Sequence, residues 1–366
     1  MHYPWRVRAL LISNPNSTTN TPAAMKDIVT ALRSVESLII KSVLTAYKGH
    51  ATDIVTGLTA KDFDYVICLG GDGTVNETVN GMLGSDPFSA PAADDLPTLA
   101  IVPTGSANVL AGSLGIPRNP VDAAWYVAGL ISRGIRSSIS IGHAADRCFV
   151  VNAGVGIDAE VIATMDGLRS GGTRASYFRY LPEVYRAWRG IQSNPPRISA
   201  TVDGRELGRD IPIAIVSNAN PWTFLGDLPV VTNPKMSVHC GLGFYGVTSL
   251  QGIAGLVTAA NLAGALTGLR DTFRVPEREI RADDAQEVHL ETSRPLKFQL
   301  DGEYIDERTE LLIRVKKRGI NVAALADDYT ASRFTKTVAS RPVEERLLNM
   351  LGKRVIDRLR RRSRQS

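Results

Sequence analysis

The sequence predicts an α/β N-terminal domain with a mostly parallel sheet, followed by an antiparallel β-rich α+β domain. Three observations predict it. Apolar β-type runs alternate with helical patterns through the first 140 residues, short strands punctuated by Gly, Pro, Asn and Asp take over from about Cys148, and a length of 366 residues exceeds the usual size of one compact domain.

In order, the first part reads as a strand at 7–13, a helix at 23–34, a strand at 38–44, a helix at 49–58 and a strand at 65–69. Runs at 98–102 and 137–141, separated by a helical stretch at 121–132, are expected to extend the same sheet. In such sheets ligands sit beyond the carboxyl ends of the strands. A Pro/Ala/Asp-rich loop at 85–97 interrupts the pattern. The second part offers short strands at 198–202, 213–217, 236–239, 288–291 and 296–300, with helical insertions at 159–166, 175–189 and 250–266. The expected division is 1–140, 141–326, and a tail at 327–366.

Composition narrows the classes. Hydrophobic residues make up 44% and charged residues 22%, which is ordinary for a folded globular protein. Cys68, Cys148 and Cys240 are widely separated and form no Cys-x-x-Cys pair, which fits a reducing cytoplasm. Residues 1–6 lack the apolar core of a secretion signal, and no apolar run is long enough to span a bilayer, so any membrane contact is expected to be peripheral, at the inner face. The net charge of +5 is local: residues 341–366 hold nine Lys/Arg against three Asp/Glu, while the other 340 residues hold 33 against 34. That distribution argues against a nucleic-acid-binding surface on the body.

The chemistry concentrates after the strand at 65–69, where Gly70-Gly71-Asp72-Gly73-Thr74-Val75-Asn76-Glu77 leads into a helix. Glycines let backbone approach a polyphosphate, and the free N–H groups of a helix start offer donors. Asp72 adds negative charge beside any phosphate, so it implies a bridging magnesium ion or a donor hydroxyl. A plainer reading is a tight turn with an Asx-type hydrogen bond.

This sequence resembles the diacylglycerol kinase catalytic domain family, which includes sphingosine and ceramide kinases and shares a wider fold group with the NAD kinases. The resemblance rests on Asn14-Pro15-Asn16-Ser17-Thr18, on Thr45 with Gly49-His50-Ala51, on the turn from Gly70 to Glu77, on Pro103-Thr104-Gly105-Ser106-Ala107-Asn108, and on Asp301-Gly302-Glu303. It implies an ATP-dependent lipid kinase with ATP and Mg2+ in its site. The segment 14–18, Thr45, the residues from Gly70 to Glu77, and Ser106 would then contact nucleotide. Plainer alternatives are a half-buried strand threonine at 45 and a helix N-cap at 106. The resemblance marks Glu303 as the acceptor of the lipid hydroxyl's proton, with Asp301 orienting substrate or magnesium; in extended geometry both carboxylates would point the same way. Asp-Gly is otherwise a common hairpin turn.

Two positions depart from the family. Asn108-Val109 stands where many bacterial members have Asn-Asp, and Cys240-Gly241 stands where a family Asp-Gly helps hold a structural magnesium, which leaves that accessory site in doubt because a thiol is a poor magnesium ligand. The acceptor is expected to be diacylglycerol or a sphingoid-type lipid. The rivals are an NAD kinase, which shares the Gly-Gly-Asp-Gly turn, and a catalytically weakened nucleotide- or lipid-binding regulator. Finally, Val343, Leu347, Leu351, Val355 and Leu359 recur every four residues among arginines, which reads as an amphipathic helix that docks on an anionic membrane, or packs on the body or on a second copy of the chain.

Overall fold

Residues 6–15, 17, 21–156, 195–225, 228–262 and 267–326 are described by the structure, a computed structural model. The first half runs β1 (Val7–Ser13), α1 (Pro22–Arg33), β2 (Leu38–Leu44), α2 (His50–Val55), β3 (Tyr65–Gly70), α3 (Asp72–Leu83), β4 (Thr98–Pro103), α4 (Val109–Ser113) and α5 (Pro120–Ser132). Local chemistry sets the helix starts. Thr21 Oγ1 accepts from Ala24 N at 3.2 Å ahead of Pro22, and the Asn119 side chain accepts from Val121 and Asp122 N–H ahead of Pro120. Both arrangements place a capping side chain before a proline whose missing N–H costs nothing at a helix start.

Strands β2, β1, β3 and β4 pair in parallel, in that order. All six residues of β3 and all six of β4 are buried, as the centre of a sheet covered on both faces requires. Ile12, Ile67, Leu69, Leu99 and Ile101 from these strands pack with Ile28, Leu32, Leu110 and Leu130 from the helices. Each such side chain contributes about 1.5–3 kcal/mol on burial.

The second half runs β5 (Ser137–Ala144), β6 (Arg147–Phe149), β7 (Asn152–Gly156), β8 (Ile198–Val202), β9 (Arg205–Ile211), β10 (Ile213–Ser217), β11 (Thr223–Leu225), β12 (Leu228–Val230), β13 (Leu242–Val247), α6 (Gly252–Leu262), β14 (Glu279–Ala285), β15 (Glu287–Leu300) and β16 (Glu303–Val322). Its pairings are antiparallel, around a second core that includes Phe149, Phe244, Phe298, Leu300 and Ile313. The two halves share one sheet, because β16 lies between β15 and β4 and joins β4 in parallel at Val322 and Leu99.

Several expectations are corrected. The run at 137–141 does not extend the parallel sheet: β5 pairs antiparallel with β16 and β6, since the chain turns back at once through Ala145 and Asp146, both at positive φ. Residues 236–239 are not a strand, although Val238 O accepts from Ser140 N at 2.7 Å. The runs at 288–291 and 296–300 are one strand, β15, whose register shifts between Glu291 and Leu296. The helices expected at 159–166 and 175–189, the last residues of the one at 250–266, and the tail from 327 lie outside the described residues.

Candidate active site

The carboxyl ends of the parallel strands are tied to one another, and this brings the motif loops side by side. Asn14 N donates to Leu69 O at 3.1 Å, Thr45 N to Ser13 O at 2.9 Å, and Thr104 N to Gly70 O at 3.0 Å. Thr45, half-buried, therefore sits at the same edge as Gly70 and Thr104. Pro15 and Ser17 lie beyond β1, where Ser17 N donates to Asn14 O at 3.3 Å; Asn16 and Thr18 lie outside the described residues. The buried hydroxyls of Ser13 and Ser17 have no hydrogen-bond partner among the described residues.

What reads in sequence as a turn is largely helix. Gly71 is the N-cap, and Asp72, Gly73, Thr74, Val75, Asn76 and Glu77 already belong to α3, whose start no side chain caps among the described residues. Asn14 Nδ2 donates to Thr74 Oγ1 at 3.4 Å, linking the first loop to this helix. Glycine is required where the loops touch: a Cβ on Gly105 would stand 2.6 Å from Gly71 Cα, and one on Gly71 would stand 3.0 Å from Gly105 Cα. Gly73 is exposed, and a Cβ there would meet nothing within 4 Å. The Asn108 side chain closes the third loop on itself, accepting from Gly105 N at 3.0 Å and donating to Gly105 O at 2.8 Å. Asn108, not Ser106, is the N-cap of α4; Ser106 is exposed in the loop ahead of it.

The acidic residues divide by what faces them. Asp72 accepts from Leu110 N at 3.3 Å, so its carboxylate holds the start of α4; burial raises its pKa, opposed by the backbone N–H groups of Val109, Leu110 and Asn108. Glu77 accepts from Gly49 N at 2.8 Å and Ala51 N at 3.3 Å, holding the start of α2. Asp301 accepts from Val150 N and Val151 N at 2.8 Å each, Asn152 N at 3.0 Å and Asn76 Nδ2 at 2.7 Å. Burial nevertheless pushes its carboxyl up to about 6.

Glu303 differs. Its carboxylate meets the Lys48 ammonium through Oε1 and the Arg147 guanidinium through Oε2, the latter at 3.2 Å. Burial alone would raise its pKa, but Lys48 and Arg147 outweigh that and leave it below the ordinary carboxylate range.

Asp301 and Glu303 do not alternate along an extended strand. Asp301 at φ 48° and Gly302 at φ 78° form a reversing hairpin turn between β15 and β16. The turn still brings both carboxylates to α3, because Asn76 donates to Asp301 and its Oδ1 lies 3.4 Å from the Arg147 nitrogen that also meets Glu303. The glycine-turn helix and the Asp-Gly-Glu turn, 225 residues apart at Asn76 and Asp301, therefore share one neighbourhood.

Sequence reasoning missed Lys48, Arg147 and Asn80. Asn80 grips the Cys148 backbone from both sides, accepting from Cys148 N at 2.8 Å and donating to Cys148 O at 3.0 Å. Lys48 was within reach of a sequence reading, lying between Thr45 and Gly49; Arg147 carries no motif signal. Among the described residues no three His, Cys, Asp or Glu side chains converge as a metal cluster.

Against this geometry, residues 8–144 match the family described as the diacylglycerol kinase catalytic domain. The chain is 27% identical over 300 residues to a diacylglycerol kinase of Bacillus subtilis (strain 168), a match covering 81% of this chain and 90% of that relative. It is 37% identical over 109 residues to "Probable lipid kinase YegS" of Escherichia coli O6:K15:H31, covering 30% of this chain and 33% of that one. A solved diacylglycerol kinase structure from Bacillus anthracis str. Sterne superposes with a TM-score of 0.59 at 20% identity, covering 89% of this chain and 99% of that one, and shows the same fold. The fold and sequence thus define a lipid-kinase type of scaffold. Residues 8–144 match the diacylglycerol kinase catalytic domain family, and the resemblance to a diacylglycerol kinase runs over most of the chain.

Proposed function

We propose that this protein is an ATP-dependent lipid kinase that phosphorylates the free hydroxyl of diacylglycerol or a related sphingoid-type lipid. The observation that carries the reading is the division among the four carboxylates: Asp72, Glu77 and Asp301 accept from backbone N–H groups, whereas among the described residues Glu303 meets the side-chain cations Lys48 and Arg147. Glu303 is therefore the carboxylate able to change partner and receive a hydroxyl proton. Asp72 and Asp301 act by holding the loops at 108–110 and 150–152 in place.

Nucleotide phosphates fit the edge built by Asn14, Ser17, Thr45, Gly70 to Glu77 and Ser106. The support is the uncapped start of α3, the open space before Gly73 and the unpartnered hydroxyls of Ser13 and Ser17. Magnesium carried on those phosphates neutralises charge in the transfer; since the nearby carboxylates are engaged by N–H groups, its ligands come mainly from the nucleotide. The parallel half, about 1–140, is the nucleotide domain, and 141–326 is the lipid domain. The basic tail at 327–366 brings the enzyme to an anionic membrane surface.

The test is transfer of labelled phosphate from ATP to diacylglycerol, sphingosine or NAD. Labelled lipid that is lost in Glu303→Gln supports the reading. Labelling of NAD alone, or of no acceptor despite ATP binding, rejects it in favour of an NAD kinase or a binding regulator.

A further inference from the structure

Lys48 and Arg147 meet the same carboxylate in different ways. Arg147 is fixed, because its neighbour Cys148 is held by Asn80 at its N–H and by Asn76 and Asn80 at its carbonyl, and its guanidinium also reaches Asn76 Oδ1. The Lys48 side chain is 78% exposed and has Glu303 as its ion-pair partner. Its backbone is anchored, since the next residue, Gly49, donates to Glu77. A long flexible stem on a fixed backbone, with one exposed ion pair, can change partners at small cost. The loop that carries it leaves β2 at the edge where Thr45 joins Ser13, beside the glycine turn.

We propose, on the strength of the kinase reading above, that Lys48 is an exchangeable phosphate ligand: without nucleotide its ammonium rests on Glu303, and with nucleotide it transfers to the terminal phosphate, leaving Arg147 to hold the carboxylate. The exchange adds a cation where the polyphosphate needs one and removes a competitor from Glu303 when the lipid hydroxyl arrives. Among the described residues no other charged group around Glu303 serves in its place. Asp301, Asp72 and Glu77 are anionic and engaged by backbone N–H groups, and Arg147 is held by the Asn76 and Asn80 frame.

The experiment is calorimetric titration of the full chain with a non-hydrolysable ATP analogue, with thermal midpoints recorded for every variant. Lys48→Met is expected to weaken binding about tenfold, and Lys48→Arg to restore most of it. Glu303→Gln is expected to tighten binding about threefold to fivefold, the scale of an exposed ion pair, and this gain is expected to vanish in the Lys48→Met background. Equal tightening with and without Lys48, or wild-type affinity in Lys48→Met, overturns the exchange. Failure of the wild-type chain to bind the analogue overturns the kinase reading and the exchange with it. Analogue binding without phosphorylation of any lipid overturns the lipid-kinase reading and leaves the exchange to be judged by the titrations.

Discussion

At Glu303, burial and two cations pull proton affinity in opposite directions, and the cations prevail. Its ion pairs therefore stabilise the fold above the ordinary carboxylate range and are lost as pH falls through its lowered value. Activity should show an acidic limb below that range, and Arg147→Met should move the limb to higher pH in a kcat/KM profile. Glu303→Gln should lower kcat by about a hundredfold or more, the scale of a lost acid–base group, with a modest fall in thermal midpoint from the lost ion pairs. Asp301 behaves with the opposite sign. Its folded value of about 6 lies above the ordinary 3.8, so its contribution is fully present below the lower value and is lost as pH rises through the upper one. Asp301→Asn should flatten that part of the stability curve, read by denaturant melts between the two values.

Among the elements, the contact between the glycine loops is the least tolerant of change. Because a Cβ at Gly105 would stand 2.6 Å from backbone at Gly71, Gly105→Ala should push the two loops apart and raise the KM for nucleotide more than it lowers kcat, which steady-state kinetics would resolve. The strands that build this edge were legible in sequence because β3 and β4 are apolar runs and β1 holds one at 9–12, each followed by turn residues. The start of α3 was not, since glycines at 71 and 73 look like turn residues whether or not the backbone there is helical. The direction of β5 was also hidden, because an apolar run has the same appearance in parallel and antiparallel pairing. The candidate site was legible where motif residues carry it, at Asp72, Asn76, Asp301 and Glu303. The cations facing Glu303 were not, since pairing across 255 residues for Lys48 and 156 for Arg147 leaves no local pattern. The plainer reading of Asp301-Gly302 as a hairpin turn also holds, and the turn itself delivers the carboxylate to its four donors.

At the scale of the whole molecule, the second core is carried by large aromatic side chains. Phe298, 1% exposed, sits among Phe149, Phe244 and Leu300, and Phe298→Ala should cost about 3–5 kcal/mol in denaturant melts. The membrane role given to the tail belongs to this scale too: removal of residues 340–366 should reduce sedimentation with anionic vesicles while leaving nucleotide affinity intact, and unchanged sedimentation would reject that role.

The late return of β16 to the flank of β4 has its own outcome for anyone dividing the chain. A fragment stopped after residue 144 would lack the strand whose successor, Ala323, donates to Leu99 O at 2.8 Å, and would present a bare, apolar strand margin to its neighbours. Such a piece should self-associate in light scattering, and adding residues 303–326 as a separate peptide should restore a dispersed species. The half that holds the glycine turn is thus finished by a strand made long after it.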